Sequence, residues 1–264
     1  MADYLLDNAW HQAHRRLSLL EQVYDPGSIY YLERLGIAAG WHCWEVGAGA
    51  GSLAVWLCQR VGPRGAVLAT DIDTRFLRAL DCPRLEVRQH DLLTDPVEQA
   101  AFDLVHVRFL LHHLPDRQAA LARLLAALKP GGRLLVEEAD NGVHLTDPRC
   151  GHAASVLLDK VATGMHTLLQ GRGGEYDYGR QLYRALQDAG LAAVQAEGRV
   201  QVLAGGTAAA ELFRLSFLQV REPLVGTGAL TTAELDDLLA WLERPEFVAL
   251  FGCVVAAWGR RTAR

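Results

Sequence analysis

Lysine is nearly missing from this chain: Lys129 and Lys160 are the only two, and the other basic residues are arginine. We read that imbalance, beside an abundance of alanine and leucine, as a compositional bias without functional weight. Positive charge is also short overall, 26 Lys+Arg against 31 Asp+Glu, a formal charge of −5. That balance argues against a surface built to follow nucleic-acid phosphates or anionic lipid. The five cysteines contain no C-x-x-C pair. So scattered a set, Cys43, Cys58, Cys82, Cys150 and Cys253, suits buried thiols better than a disulfide framework or a zinc site. No apolar run approaches the roughly 18 residues of a spanning helix; the longest candidate is Phe247 to Trp258. The opening MADYLLDNAWHQAH lacks the basic start and apolar stretch of a signal peptide. A cytoplasmic protein is the expectation, with no membrane and no nucleic acid as partners.

What remains is an ordinary globular composition, 50% hydrophobic and 22% charged over 264 residues. One large α/β domain accounts for that length better than two small ones. Residues 4–35 carry helical spacing through Leu5, Leu6, Ala9, Trp10, Ala13, Leu17 and Leu20. Asp25-Pro26-Gly27-Ser28 is expected to interrupt this stretch, with a second short helix up to Leu35. From residue 41 short apolar strands alternate with helical segments, at 42–46, 66–70, 84–88, 103–108 and 132–138. Such alternation implies βαβ units and a parallel sheet covered on both faces. Residues 141–178 break the rhythm and read as an insertion, helical around 149–170. A helix over 179–190 follows, then strands near 193–203 and 247–257, with helices near 206–221 and 231–243 between them. The expected organisation is a helical cap over 1–40 and a seven-stranded α/β domain over 41–264.

The most informative stretch is Trp44-Glu45-Val46-Gly47-Ala48-Gly49-Ala50-Gly51-Ser52, where a strand feeds a glycine-rich turn that opens a helix. Glycine permits positive φ and close backbone approach, and a helix start presents free N–H groups. Gly49 to Ala54 even satisfies the G-x-G-x-x-A form of a dinucleotide fingerprint. Glu45 tilts the choice, because a carboxylate two residues before Gly47 is awkward beside a pyrophosphate but well placed near a cationic amino or sulfonium group. Asp71, ending the second strand, suits ribose hydroxyls in either case. An adenosine ligand is indicated, with a nicotinamide-dependent oxidoreductase as the alternative.

Four phrases in order, EVGAGAGS (45–52), LATDID (68–73), QHDLL (89–93) and FDLVHVRFLLHHLPD (102–116) with LKPGGRLLVEE (128–138), resemble those of class I S-adenosylmethionine (SAM)-dependent methyltransferases. The resemblance runs from about residue 20 to 140, closest to bacterial small-molecule methyltransferases of natural-product pathways. It implies a Rossmann-like, mostly parallel seven-stranded sheet and SAM as cofactor. Glu45 would orient the methionine end, and Gly47, Ala48, Gly49 and Gly51 would bring the turn close. Asp71 would grip the ribose and Ile72 pack on the adenine. Asp91, after His90, would accept from the adenine amino group while Leu92 donates a backbone N–H. The strand end Val107-Arg108 would offer a carbonyl to the cofactor's ammonium.

Methyl transfer from a sulfonium needs alignment, exclusion of water and, for some acceptors, a base. Candidate bases are His112 and His113 after the fourth strand, and Glu137, Glu138, Asp140 and His144 after the fifth. Strand alternation sends Glu137 and Glu138 to opposite faces, and Glu138, with Asp140 two positions on, is favoured. Tyr24, Tyr30, Tyr31, Tyr176, Tyr178, Phe213 and Phe217 are available to wall the acceptor site, Tyr24 as a lid residue. Gly171-Arg172-Gly173-Gly174 reads as a mobile segment. His11 and His14 alone are a poor metal signal, and no metal is expected. A small-molecule methyl acceptor is the expected partner. The acceptor atom (O, N or C) and the oligomeric state stay open, a homodimer among the options. A SAM-fold member that binds without methylating is a further alternative.

Overall fold

The computed structural model describes residues 5–262; Tyr4, the first residue of the expected helical stretch, lies outside them. The alternating apolar runs become β1 (His42–Val46), β2 (Ala66–Asp71), β3 (Leu85–Gln89), β4 (Phe102–Arg108) and β5 (Leu128–Thr146). With β6 (Ala192–Ala204) and β7 (Val248–Arg260) they form one sheet, ordered β3-β2-β1-β4-β5-β7-β6. All pairings up to β5 are parallel, and β7 runs antiparallel between β5 and β6. The strand order reverses between β1 and β4, so a crevice opens beyond their carboxyl ends, the usual ligand position in such sheets.

Alternation along the strands decides which helix each residue meets. Leu104 and Leu135 face one layer, where Leu53, Leu57 and Val61 of α2 (Ser52–Val61) meet Tyr31 and Leu32 of α1 (Ala13–Arg34). Val105, Leu134 and Val136 face the other, against Leu121 and Leu124 of α3 (Arg117–Ala127) and Leu182 and Leu186 of α5 (Leu182–Asp188). Trp44 is fully buried in the second layer because its indole N–H finds Thr70 Oγ1 at 2.9 Å. A third cluster joins α4 (Gly151–Gln170), α6 (Ala208–Gln219), α7 (Arg221–Gly226) and α8 (Thr232–Trp241) around Phe247 and Phe251. No helix among the described residues is long and apolar enough to cross a membrane.

Four boundaries differ from the sequence reading. α1 begins at Ala13, so Leu5, Leu6, Ala9 and Trp10 of the expected helical stretch precede it in turns and a bend. Asp25-Pro26-Gly27-Ser28 does not break α1, which runs unbroken with Pro26 inside it. An interior proline costs a helix about 3 kcal/mol, and here a tertiary clamp opposes that cost. Asp25 and Ser28, three apart and therefore on one face, both accept from Arg108 of β4, at 2.9 and 2.8 Å. β5 does not stop at 138 but continues to Thr146, because β7 pairs with it through a bulge between Asp140 and His144. The helix read at 206–221 divides at Val220 into α6 and α7.

Candidate active site

A cavity of about 410 Å³ opens at the carboxyl ends of β1 and β4 and extends under α1 and α4. One half is built on the glycine turn, and Glu45, Gly47, Ala48, Gly49, Asp71, Ile72, His90, Asp91, Leu92 and Arg108 all line it. The turn is wound by positive φ at Gly47 and Gly49 and locked by Asp71, whose Oδ2 accepts from Gly49 N–H at 2.9 Å and Oδ1 from Asp73 N–H at 3.0 Å. Burial raises the Asp71 carboxyl above its usual range, and these two amide bonds partly offset the rise. Ile72 beside it stays 40% exposed, an apolar side chain held in the open over the cavity. Asp91 is exposed, with Oδ1 on Leu93 N–H. His90 is fixed by Pro96 O and stands edge-on to Trp44, with a buried Nδ1 that has no partner among the described residues.

Beneath the turn lies a buried charge network. His106 of β4 is fully inaccessible and touches two carboxylates, Glu45 Oε2 from Nδ1 at 2.7 Å and Glu137 Oε1 from Nε2 at 3.0 Å. Burial alone would lower its pKa, but the charge and hydrogen bonds of Glu45 and Glu137 outweigh that and raise it to about 9. Burial likewise pushes the Glu137 carboxyl up, and the bond and charge of His106, with Arg108 and Ser28, bring it below the usual carboxylate range. Arg108 is spent on Asp25 and Ser28.

The other half is an apolar chamber. Leu17 and Leu20 of α1, Met165 and Leu169 of α4, and Phe213, Phe217 and Phe251 wall it, with Asn8, Arg16, Asn141, Arg172 and Ser216 between them. Tyr24 and Phe109 meet edge-to-face at 4.9 Å on the cavity wall. Burial raises the Tyr24 phenol to about 12, with Arg108 opposing, so it stays neutral. Phe109 holds a left-handed backbone, φ +53°, a conformation costly for an aromatic residue. That residue was not legible in sequence; the only signal was its place at a strand end.

His112 stands where the two halves meet. It lies two residues past Leu110, whose side chain closes over Gly47, and its carbonyl accepts from Glu175 N–H of the loop after α4 at 2.7 Å. Its Nδ1 bonds Glu138 Oε2, while Glu138 Oε1 also accepts the N–H groups of Leu110 and Leu111 at 3.0 and 2.6 Å. An ionised carboxylate only accepts, so Nδ1 is the donor, and in the neutral ring the lone pair is on Nε2. Among the described residues Nε2 has no protein partner. His113 stacks on His112 with ring centroids 3.9 Å apart. Burial, then the charges of His112 and Arg16, holds its pKa well below the usual histidine value.

Several expected site residues are placed elsewhere. Glu138 is fully buried behind the cavity wall, so it reaches the cavity only through His112. Asp140 is locked by Arg180 at 2.6 and 2.7 Å and does not line the cavity. His144 pairs with Asp159 at 3.0 Å. Val107 is fully buried between β1 and β5, outside the cavity. Gly51 also stands outside: a Cβ there would overlap Leu80 and come within 2.8 Å of Leu77, so helix packing requires this glycine. Tyr31 and Tyr178 belong to the core and Tyr30 to the surface, whereas Tyr176, Phe213 and Phe217 do line the chamber. Gly174 is packed against Leu169 and the His112 carbonyl.

The donor set distinguishes between ligands. Glu45, Asp71 and Asp91 present carboxylates to the turn half, and Arg108, a cation in the same lining, is paired with Asp25. A pyrophosphate would meet repulsion there, while ribose hydroxyls and a cationic methionine end would find acceptors.

Comparison with known proteins agrees. A family model described as a methyltransferase domain matches residues 44–134. The chain is 36% identical over 97 residues to the methyltransferase str2 of Strobilurus tenacellus, covering 36% of this chain and 34% of that one. It is 30% identical over 142 residues to the Pseudomonas putida ubiquinone/menaquinone biosynthesis C-methyltransferase UbiE, covering 49% of this chain and 56% of the relative. The chain thus spans from a third to about half the length of these relatives. In fold it is similar to Haemonchus contortus phosphoethanolamine N-methyltransferase 2 solved with S-adenosylhomocysteine, at TM-score 0.60 and 14% identity, over 98% of this chain and 59% of that one. Sheet order, turn chemistry and matched domain converge: residues 44–134 match a methyltransferase domain, and they lie in a sheet whose fold is that of solved methyltransferases.

Proposed function

We propose that this chain transfers the methyl group of SAM to a small organic acceptor with a largely apolar body. The observation that carries this reading is the single cavity in which a carboxylate-lined glycine turn opens into an apolar chamber, with a carboxylate-oriented histidine where they meet. Bound SAM supplies an activated methyl on a sulfonium. Asp71 accepts from the ribose hydroxyls, Ile72 packs on the adenine, Asp91 and Leu92 serve the adenine edge, and Glu45 receives the methionine ammonium. The leucines and aromatics of the chamber hold the acceptor and exclude water, and alignment of this kind supplies on the order of 7–11 kcal/mol in methyl transfer. His112 Nε2 takes the acceptor's proton, oriented by Glu138, with His113 as its neutral stacking partner.

A base in that place suits an acceptor whose nucleophile must lose a proton, such as a phenol, an enol or the ring carbon of a quinol. UbiE is named for carbon methylation in quinone biosynthesis, which makes quinols and phenols the first acceptors to try. The motif flavour favours bacterial secondary metabolism in the cytoplasm. The test is calorimetry with SAM and with NADH, followed by mass spectrometry for S-adenosylhomocysteine across a panel of phenols, quinols and amines. SAM binding with acceptor-dependent product is expected. Binding of NADH alone overturns the reading, and SAM binding without turnover on any acceptor points to a member that uses the fold without methylating.

A further inference from the structure

We propose that His106 is a positioning residue for the cofactor's amino-acid end: a buried, doubly protonated imidazolium that fixes the Glu45 carboxylate and ties it, through Glu137, to the cap helix α1. The inference rests on SAM as the ligand of the glycine turn.

The geometry assigns the protons. Both ring nitrogens of His106 face carboxylate oxygens, Glu45 Oε2 at 2.7 Å and Glu137 Oε1 at 3.0 Å, and all three side chains are buried. A neutral imidazole has one donor and one acceptor, so one of these contacts would set a lone pair against a carboxylate. With both carboxylates ionised, only the imidazolium satisfies both. Glu45 Oε2 is thereby committed, and Oε1, without a protein partner among the described residues, is the oxygen left for a cation in the cavity that Glu45 lines. A carboxylate held on one side by an ordered donor loses its rotamer freedom before the ligand arrives, which is how a supporting contact raises affinity.

The far side of the network reaches α1. Glu137 is held by His106 and by the charge of Arg108, and Arg108 in turn clamps Asp25 and Ser28 across Pro26. Tyr24, next to Asp25, forms the cavity wall with Phe109. The carboxylate that meets the cofactor and the helix that roofs it are therefore ends of one chain of charges. Glu45, Glu137, Arg108 and Asp25 contribute two positive charges with His106 against three negative, leaving net negative potential toward the ligand's cationic end.

Two substitutions separate the contacts. His106→Asn keeps a donor near Nδ1, toward Glu45, and His106→Gln keeps one near Nε2, toward Glu137. Calorimetry at about pH 7.5 with S-adenosylhomocysteine, and with 5′-methylthioadenosine, which lacks the amino-acid end, reads the outcome. His106→Gln is expected to weaken S-adenosylhomocysteine about tenfold or more while methylthioadenosine changes less than about threefold, and His106→Asn to stay nearer wild type. Unchanged S-adenosylhomocysteine affinity in His106→Gln, or equal losses for both ligands, overturns the positioning role. If His106→Gln does not fold, nitrogen NMR of wild-type histidines decides: protons on both His106 nitrogens support the proposal, and a neutral ring overturns it. Wild-type protein that binds neither ligand overturns the SAM reading itself, a failure seen before any variant is made.

Discussion

Replacing Glu138 by glutamine changes one atom in a side chain that touches no ligand, and the expected loss of turnover is large. Glu138 Oε1 accepts the amide N–H groups of Leu110 and Leu111, and Oε2 accepts His112 Nδ1–H. In Glu138→Gln the amide oxygen keeps the two backbone donors, because turning it away would leave two buried N–H groups unpaired at about 1–3 kcal/mol each. The amide NH₂ then faces Nδ1 of His112, which must become the acceptor. The imidazole proton moves to Nε2, the nitrogen that faces the cavity, and the base is lost without loss of shape. General-base assistance is worth about 10²–10⁴-fold, and an Asp→Asn change that fixes the wrong tautomer in a serine-protease triad costs about 10⁴. We expect kcat to fall by about 10²–10⁴-fold, with SAM affinity within about threefold, since Glu138 lies outside the cavity. Stability should change little, because substituting a buried charge while keeping its hydrogen bonds is often close to neutral.

The assay is single-turnover formation of S-adenosylhomocysteine with an active acceptor, beside nitrogen NMR of His112, which reports the tautomer whether or not an acceptor is known. A variant that keeps wild-type kcat, or one whose His112 still carries its proton on Nδ1, refutes the orienting role. Added imidazole should restore part of the rate to His112→Ala and none to Glu138→Gln, whose ring still fills the site.

Other consequences follow from the same geometry. Asp71→Ala removes an acceptor for ribose and the latch on Gly49, and should weaken SAM by about 100-fold, from about 3 kcal/mol of charged hydrogen bonding; near-wild-type calorimetry refutes the ribose role. Gly51→Ala forces a Cβ into Leu77 and Leu80 at φ +96° and should destabilise the fold by about 1–3 kcal/mol in thermal or denaturant unfolding; an unchanged melting temperature refutes the packing argument. His106, raised to about 9 by its two carboxylates, stabilises the folded chain fully below about pH 6.5, its unfolded value, and that contribution is lost as pH rises through about 9. The gap corresponds to on the order of 3 kcal/mol, so melting temperature should fall from pH 7 to 10 in wild type and much less in His106→Gln; parallel curves refute it.

The features legible in the sequence were those that repeat or recur locally. Strand alternation places Leu104 and Leu135 on one face and Val105 and Val136 on the other without knowledge of the partner layers, because period-two burial is a property of each strand. The glycine turn was legible because positive φ leaves a residue-type signature at Gly47 and Gly49. Gly51 shows the limit of that signal: the residue type is dictated by Leu77 and Leu80, which arrive from a segment 26 and more residues away, and the motif alone cannot separate packing from ligand approach. Pro26 shows it again, since local preference ends the helix and the Arg108 clamp, some 80 residues distant, continues it.

Glu138 was legible as a site acid but not as the partner of His112, and His106 was not legible at all, for a different reason. Both are polar residues in apolar strands, and a sequence gives their chemistry but not their partner across the sheet. Parallel pairing sets Glu45 beside His106, and the bulge at the start of β4–β5 pairing sets Glu137 opposite Arg108. Shifted by one residue, each would turn to the other face. On the proposed function, sheet register therefore decides which acid would meet the cofactor, which would orient the base and which ties to α1, and it is fixed by long-range packing of the apolar residues between them. The same hydrophobic alternation that builds the core thus sets the electrostatics of the site, and a core substitution that slipped β4 against β1 would abolish cofactor recognition without touching a polar residue.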